Sequence, residues 1–294
     1  IRIPAACCGL VGLKPTRKRF DMDGSSLLPV NIAVQGVLSR TVRDTVAFWS
    51  ALEAAEPTID KIGSVRPEPG RALRIGVFTG APTRGPVDRE HRVAAEDAGK
   101  LCEELGHRAD AIECPFEPGV IEDFLRYWGL IAFVQARFGK LLVHRDFDAS
   151  RLEPWTKGMG RYFTSQLRAG VSAIARLRRF GPVYAKAIER YDVLVCPTTA
   201  EPPPLLGYLR TDQDFETKFE RLVRFTPFTP IANVAGAPAI SLPLGRTRSG
   251  LPIGVHFAAR VGDDRTLLEL ASTLEAAKPW PRIAPADAWR SLAP

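Results

Sequence analysis

The sequence lacks the features that define several large classes of protein. No stretch approaches the roughly 20 uninterrupted apolar residues that a transmembrane helix requires. The first residues also lack the basic segment followed by an apolar one that is typical of a secretory signal. We therefore expect a cytoplasmic protein that makes no membrane contact.

Cysteine is scarce and shows no pairing pattern. The five cysteines are odd in number, two of them are adjacent, and none has C-x-x-C spacing. We expect no structural disulfide and no zinc cage, and all five suit a reducing compartment. Cys7 and Cys8 lie among small and apolar residues, which predicts that both are buried.

Common catalytic and cofactor motifs are also missing. The chain has no G-x-S-x-G elbow, no H-E-x-x-H pair, no G-x-x-x-x-G-K phosphate loop and no G-x-G-x-x-G after its first long apolar run. Its four histidines are scattered. We expect His91 and His107 to be solvated, His144 to lie on the surface, and His256 to be a hydrogen-bonded core or pocket-wall residue. No metal, organic cofactor or Ser-His-Asp triad is implied.

The charge balance is modestly basic. The chain has 40 Lys plus Arg against 33 Asp plus Glu, a net charge of +7. The basic clusters at 17–19 and 176–179 are short, and no stacking aromatics alternate with them. They are typical of solvated helix faces, so we expect no nucleic-acid partner.

Alternating element signals indicate an α/β fold. With 294 residues, of which 45% are hydrophobic, the chain can form a continuous core. Apolar runs predict strands at 73–78, 111–114, 191–197, 237–243 and 253–258, the last two joined by an antiparallel hairpin turn at 246–250. Helices are predicted after Thr41, over 87–105 and after Asp263. We therefore expect a mixed, twisted β-sheet flanked by helices in a single domain spanning 1–294.

The section from 116 to 180 reads as helical but is poorly patterned. It mixes arginines with aromatic residues, among them Trp128. In a hydrolase such a region forms a lid or a substrate wall, whereas in most proteins aromatic residues pack in the core. Both interpretations stay open from the sequence.

Several motifs resemble those of the amidase signature enzymes. The run IRIPAACCGLVGLKPT at 1–16 is similar to the second half of the motif that defines the family. GVLSRTVRD at 36–44, TPIANVAGAPAISLP at 229–243 and GLPIGV at 250–255 resemble further family blocks, in the same order along the chain. The stretch 22–37 and the proline-rich segment after Tyr191 look most like amidases related to the cyclic-dimer nylon-oligomer hydrolases.

The resemblance implies a catalytic triad upstream of this chain. The family uses a lysine, a bridging serine on a cis peptide bond and a nucleophilic serine, and that nucleophile is expected immediately before Ile1. We therefore expect no catalytic residue within 1–294. We interpret the chain as the C-terminal portion of an amidase that is longer at its N-terminus, and we expect the 294-residue chain alone to be inactive. Proteolytic activation is a second explanation of an N-terminal isoleucine. The triplet Gly24-Ser25-Ser26 is predicted to be a turn or a helix cap rather than the bridging serine.

Five residues of this chain besides Arg2 are candidates for the site that the resemblance implies. Arg2 is expected to brace the catalytic turn by charge-assisted hydrogen bonds, with an ordinary surface ion pair as the alternative. Thr229 and Asn233 are candidates for a pocket edge, although Asn233 could instead satisfy nearby backbone groups. Further pocket candidates are Trp128, Phe228 and His256.

Three functions remain open from the sequence. The first is an amidase that acts on a small carboxamide or an oligoamide, with the missing N-terminal part of the same protein as its partner and a homodimer as a possible assembly. The second is the amidase subunit of a tRNA-dependent amidotransferase. The third is a non-catalytic binding protein on a decayed amidase fold. We expect the isolated 294-residue chain to be poorly soluble, since open sheet edges and apolar faces would be exposed.

Overall fold

The computed structural model describes residues 1–19, 28–55, 61–66 and 71–283. The triplet Gly24-Ser25-Ser26 lies outside these ranges, as does part of the stretch 22–37. Within them, no helix combines the length and the apolar character needed to cross a membrane.

A mixed sheet forms the centre of the described structure, as the sequence predicts. Its seven strands, counted over the described ranges, lie in the order β2-β1-β6-β7-β5-β3-β4. β3 pairs in parallel with β4 and β5, and the other pairs are antiparallel. The strands are β1 (Val11–Lys14), β2 (Leu38–Ser39), β3 (Arg74–Val77), β4 (Arg108–Ala111), β5 (Val193–Pro197), β6 (Ala239–Arg246) and β7 (Pro252–Ala259).

Helices cover both faces of this sheet. In chain order they are α1 (Arg2–Cys8), α2 (Val42–Ala55), α3 (Arg89–Glu104), α4 (Gly119–Leu142), α5 (Pro154–Ser165), α6 (Leu167–Arg178), α7 (Phe180–Ala187), α8 (Phe215–Phe225), α9 (Pro230–Ala235) and α10 (Asp264–Ala277). A short 3-10 helix, Ala149–Arg151, lies between α4 and α5. The section from 116 to 180 is therefore helical, as predicted.

Side-chain alternation along the strands creates two separate cores. In β5, Val193 and Val195 pack in one core with α2, α3 and α10. Leu194 and Cys196 point the other way, into a second core with α4, α6, α7 and α9. Because side chains alternate with a period of two, each central strand is apolar on both faces and reads as a continuous run in the sequence.

Two of three predicted helix starts are capped by the residue that precedes them. The Thr41 hydroxyl accepts from the Asp44 N–H at 3.0 Å, and Asp88 accepts from the backbone N–H groups of Glu90 and His91, so both begin their helices by side-chain capping. α10 begins after Asp263, as predicted, but the Asp263 side chain makes no capping bond. Its neighbour Asp264 is instead buried.

The structure corrects one strand boundary. The sequence predicts a strand at 111–114, but β4 is Arg108–Ala111. Its residues are polar or small because β4 is the end strand of the sheet, with β3 as its neighbour on one side. Such a strand has little apolar character to reveal it.

Candidate active site

α1 fixes the first residues of the chain against the sheet. It is a seven-residue helix that begins after Ile1 and ends at Gly9, whose φ of 65° is left-handed and therefore suits glycine. The helix lies so close to β7 that a Cβ on Gly254 would be 2.5 Å from the Ala6 Cβ. Close packing on a glycine leaves α1 little freedom to shift.

Arg2 reaches from α1 to two distant parts of the chain. Its side chain is buried, with 5% exposure. The guanidinium donates from Nη1 to His256 Nε2 at 2.6 Å, and from Nη2 to the Thr229 carbonyl at 2.9 Å and to Asn233 Oδ1. These partners belong to β7 and to the start of α9, so one side chain connects three elements.

His256 is held as one tautomer by its two neighbours. Because a guanidinium only donates, Nε2 of His256 must accept from Arg2, and its proton therefore resides on Nδ1. Nδ1 lies 3.6 Å from the Cys196 Sγ on the adjacent strand β5. Strand register produces this arrangement, since His256 is opposite both Cys196 and Ser241.

The site is a buried cationic region. Burial lowers the pKa of Arg2 to about 9, and within the described residues no carboxylate forms an ion pair with it. Burial also lowers the pKa of His256 well below 6.5, and the positive charges of Arg2 and Lys14 lower it further. Burial raises the pKa of the Cys196 thiol well above 9.0. At neutral pH, His256 and Cys196 are therefore uncharged, and Arg2 keeps its charge.

The neutral state of His256 predicts a pH-dependent stability. In the unfolded chain this histidine binds a proton near pH 6.5, but in the folded chain it does not. Its contribution is therefore constant above that pH and is lost as the pH falls, by about 1.4 kcal/mol per pH unit. His256→Gln keeps an acceptor for Arg2 but cannot titrate. Urea unfolding at about pH 7.5 and about pH 5.5 should show that this variant loses less free energy of unfolding between the two pH values than the parent protein does. An equal loss in both proteins would contradict the neutral state assigned to His256.

The structure brings four of the predicted site residues into direct contact, places a fifth beside them and the sixth in a different cluster. Arg2, Thr229, Asn233 and His256 are in direct contact. Phe228 is buried beside them, in the wall of an apolar cavity of about 10 Å³ that His256 also lines.

Trp128 belongs to a different cluster. Its ring lies 5.7 Å from that of Trp155, and both pack with Phe215 and Phe219 between α4, α5 and α8. Its role in a substrate pocket stays a prediction. An adjoining contact in the same cluster places Lys218 Nζ 4.8 Å from the centre of the Trp155 ring.

Lys14 is a site residue that sequence reasoning missed. It is 2% exposed at the end of β1, and its Nζ donates to the Pro15 carbonyl at 2.6 Å. Burial lowers the pKa of Lys14 well below 10.5, with Arg2 adding to the effect. The signal available in the sequence was its position directly after Val11, Gly12 and Leu13, which are apolar or small and form β1 with it.

Three other side chains differ from the sequence-based expectation. His91 is fully buried rather than solvated, because the start of α3 packs against the segment after β5, where the Asp88 N–H donates to the Ala200 carbonyl. Cys8 is exposed and Cys7 is partly buried. The pair lies at the end of α1, where successive residues point to different sides of the helix.

One segment of the chain is fixed next to this site by a tyrosine. The Tyr127 hydroxyl of α4 donates to the Val30 carbonyl at 2.7 Å and accepts from the Val30 N–H at 2.9 Å. Two residues later, the Ile32 carbonyl accepts from Asn233 Nδ2 at 2.8 Å. The segment 30–32 is thereby connected to the same asparagine that Arg2 contacts.

The two hydrogen bonds between Tyr127 and Val30 predict a stability loss for Tyr127→Phe. Removing the hydroxyl leaves a buried donor and a buried acceptor of Val30 without their partner, at a cost of about 2 kcal/mol. Tyr162→Phe is the matched control, since the Tyr162 ring packs on Phe219 and no hydrogen bond to its hydroxyl occurs among the described residues. Urea unfolding should give a lower midpoint for Tyr127→Phe than for Tyr162→Phe. Equal midpoints would contradict a stabilising role of the Tyr127–Val30 hydrogen bonds.

Comparison with known proteins connects this geometry to one family. The family model described as Amidase matches residues 1–268. The chain is 44% identical over 288 residues to AmiC of Mycobacterium leprae, a protein to which amidase activity is ascribed, and covers 61% of its length. It is 32% identical over 308 residues to the 6-aminohexanoate-cyclic-dimer hydrolase of Pseudomonas sp. strain NK87, again covering 61% of that protein. These alignments include 96% and 95% of this chain.

Solved structures agree with the sequence relatives. A 6-aminohexanoate cyclic dimer hydrolase in complex with substrate superposes with a TM-score of 0.78 and 28% identity, covering 95% of this chain and 63% of that one. The chain thus spans about 60% of the length of these relatives. The family model, the relatives and the fold agree on the same assignment. The chain belongs to the amidase family, that of the amidase signature enzymes.

Proposed function

We propose that the native protein is an amidase that hydrolyses a carboxamide or an oligoamide through an acyl-serine intermediate. In this proposal the nucleophilic serine directly precedes Ile1. The observation that carries it is the burial of Arg2 beside that position, with three acceptors and, among the described residues, no carboxylate partner. Burying a cation without a carboxylate partner costs free energy. The presence of Arg2 therefore indicates that function requires a fixed backbone at this position.

The proposed reaction follows from the nature of an acyl-serine. The serine oxygen attacks the amide carbonyl, and the resulting oxyanion collapses to the acyl-serine with release of ammonia or an amine. Water then attacks the ester and frees the acid. A lysine can serve as base only when it is neutral, and a bridging serine would relay the proton. We place these groups in a segment that precedes Ile1, which is consistent with the 61% of the relatives' length that this chain spans.

Residues of this chain would support the reaction without exchanging protons. His256 is a poor general base, because its Nε2 is occupied by Arg2 and burial keeps its pKa well below 6.5. Lys14 donates to a backbone carbonyl, and no hydroxyl is among its hydrogen-bond partners in the described structure. Arg2 would hold the first turn of α1, and with it the preceding residue, in the geometry that nucleophilic attack requires.

The proposal is tested by product release from the native protein purified from its source. Primary carboxamides, linear oligoamides and cyclic oligoamides are the substrates, and ammonia or free amine is the product measured. Replacement of the serine before Ile1 by alanine is expected to abolish release while the melting temperature stays unchanged. Undiminished release from that variant would contradict the proposed nucleophile.

A further inference from the structure

A basic cleft lies beside the candidate active site. It has a volume of about 490 Å³, and its lining includes Arg17, Lys18, Val30, Asn31, Leu177 and Arg178. We call this space the basic cleft. It opens between α9, the end of α6 and the segment 28–31.

The described lining residues of the basic cleft carry charge of a single sign. Three of its lining residues, Arg17, Lys18 and Arg178, are cationic, and none of the described lining residues is acidic. Over the ranges that the structure describes, none of these three cations forms an ion pair with a carboxylate. Clustered like charges in a concave surface attract an anion and gain energy when one binds.

Arg17 is held rigidly on one wall of the cleft. Its Nη2 donates to the carbonyl groups of Asn233 at 2.7 Å and Val234 at 2.6 Å, near the end of α9. Its Nε is buried and has no hydrogen-bond partner in the described structure. Hydrogen bonds from Nη2 thus fix the positive charge of Arg17 at the wall of the cleft, where it attracts an anionic group such as a carboxylate.

Both walls of the basic cleft are connected to the candidate active site through Asn233. Arg17 contacts the Asn233 carbonyl, whereas the Asn233 side chain accepts from Arg2 and donates to the Ile32 carbonyl. Val30, which also lines the cleft, precedes Ile32 by two residues and is hydrogen-bonded to Tyr127. The cleft is therefore one residue away from the buried Arg2 network.

We propose that the basic cleft binds a carboxylate carried by the amide substrate, so that the enzyme prefers amides with an anionic end remote from the bond that is cleaved. This inference rests on the proposed amidase function. The apolar lining by Leu177, Val30 and Val234 suits an aliphatic chain between the amide and the carboxylate. No aromatic residue is among the described lining residues, which disfavours stacked nucleic-acid bases.

The test compares matched pairs of amides on the native protein. Adipic acid monoamide and adipamide differ by a carboxylate on the acyl side, and N-acetyl-6-aminohexanoate and N-hexylacetamide differ by one on the amine side. Arg178→Gln and Lys18→Gln each remove one cation of the cleft. Arg179→Gln is the matched control, because Arg179 is the next exposed arginine along the chain and does not line the cleft. KM and kcat are measured from ammonia or amine release.

We expect KM for the carboxylate member of one pair to rise about tenfold in Arg178→Gln and in Lys18→Gln, with kcat and the neutral amide little changed. The pair that responds identifies the side of the substrate on which the carboxylate lies. Equal KM values for charged and neutral amides in the native protein, or an equal effect of Arg179→Gln, would overturn the proposal.

Calorimetric binding of the same ligands gives a readout that needs no turnover. Tighter binding of adipic acid monoamide than of adipamide, lost in Arg178→Gln, would support the basic cleft even if no amide were hydrolysed. Turnover of neutral amides without any carboxylate preference would preserve the amidase proposal and overturn this one. Displacement of the monoamide by a short RNA oligonucleotide at micromolar concentration would assign the cleft to nucleic acid and also overturn it.

Discussion

Arg2→Met in the native protein is expected to lower kcat/KM for its amide substrate by about 100-fold or more. Methionine keeps much of the buried volume but donates no hydrogen bond. His256 Nε2, the Thr229 carbonyl and Asn233 Oδ1 then lose their shared donor. The first turn of α1 is released, and a displacement of about 1 Å at a nucleophile costs about 100-fold in rate. Steady-state kinetics gives the measurement.

Arg43→Met is the control for this prediction. Arg43 is 83% exposed and pairs only with the carboxylate of Asp44, which is 48% exposed, in the described structure, so its loss should change neither rate nor stability by a measurable amount. Arg2→Met should also lower the free energy of unfolding by about 3 kcal/mol, because buried acceptors are left unsatisfied. Full activity in Arg2→Met would show that Arg2 does not position the reacting residue.

Gly254→Ala is expected to lower the free energy of unfolding by about 3 kcal/mol and to reduce activity with it. The new Cβ would be 2.5 Å from the Ala6 Cβ, 2.6 Å from the Ser241 Oγ and 2.9 Å from the Ala6 Cα. Because one of these neighbours is backbone, the strain cannot be relieved by a side-chain rotation. α1 must shift away from β7, which also displaces Arg2. Urea unfolding followed by circular dichroism measures the loss.

Gly80→Ala is the matched control for Gly254→Ala. A Cβ on Gly80 would meet no atom of the described residues within 4 Å, so the same substitution adds no contact with them. Its unfolding midpoint should stay near that of the parent protein or increase slightly, since alanine restricts the unfolded chain. Equal midpoints for the two variants would contradict the close packing of α1 on β7.

The central strands were predictable because they are buried on both faces. β5 and β7 carry uninterrupted apolar or small side chains apart from His256, and such runs are typical of strands covered on two sides. The polar end strand β4 was misplaced by three residues for the opposite reason. Short-range pattern reveals a strand only where the core requires apolar residues.

The candidate site was predictable as separate residues but not as an arrangement. Arg2, Thr229 and Asn233 could be selected from motifs and His256 from its place in a strand pattern, but Arg2 and His256 are 254 positions apart. Their contact depends on strand order in the sheet and on the placement of α1, neither of which leaves a local signal. For the same reason the burial of His91 and the exposure of Cys8 were not foreseen, since both depend on neighbours that are remote in sequence.

The basic cleft shows the same limit. Arg17 and Arg178 belong to the two basic clusters that the sequence indicated to be solvated helix faces, and Arg178 is indeed exposed on α6. What the sequence could not reveal is that Arg17 and Arg178, which are 161 positions apart, line one space. Their convergence, rather than the net charge, is the basis for the carboxylate proposal.

The most direct test of the account is peptide mapping of the native protein after reaction with a fluorophosphonate, a reagent that labels activated serine nucleophiles. Trypsin cleaves after Arg2. If the nucleophile directly precedes Ile1, the label lies on a peptide that ends in Ser-Ile-Arg, with the modified serine immediately before Ile1. A native chain that begins at Ile1, or a label on a serine elsewhere, would contradict the proposed acyl-serine mechanism.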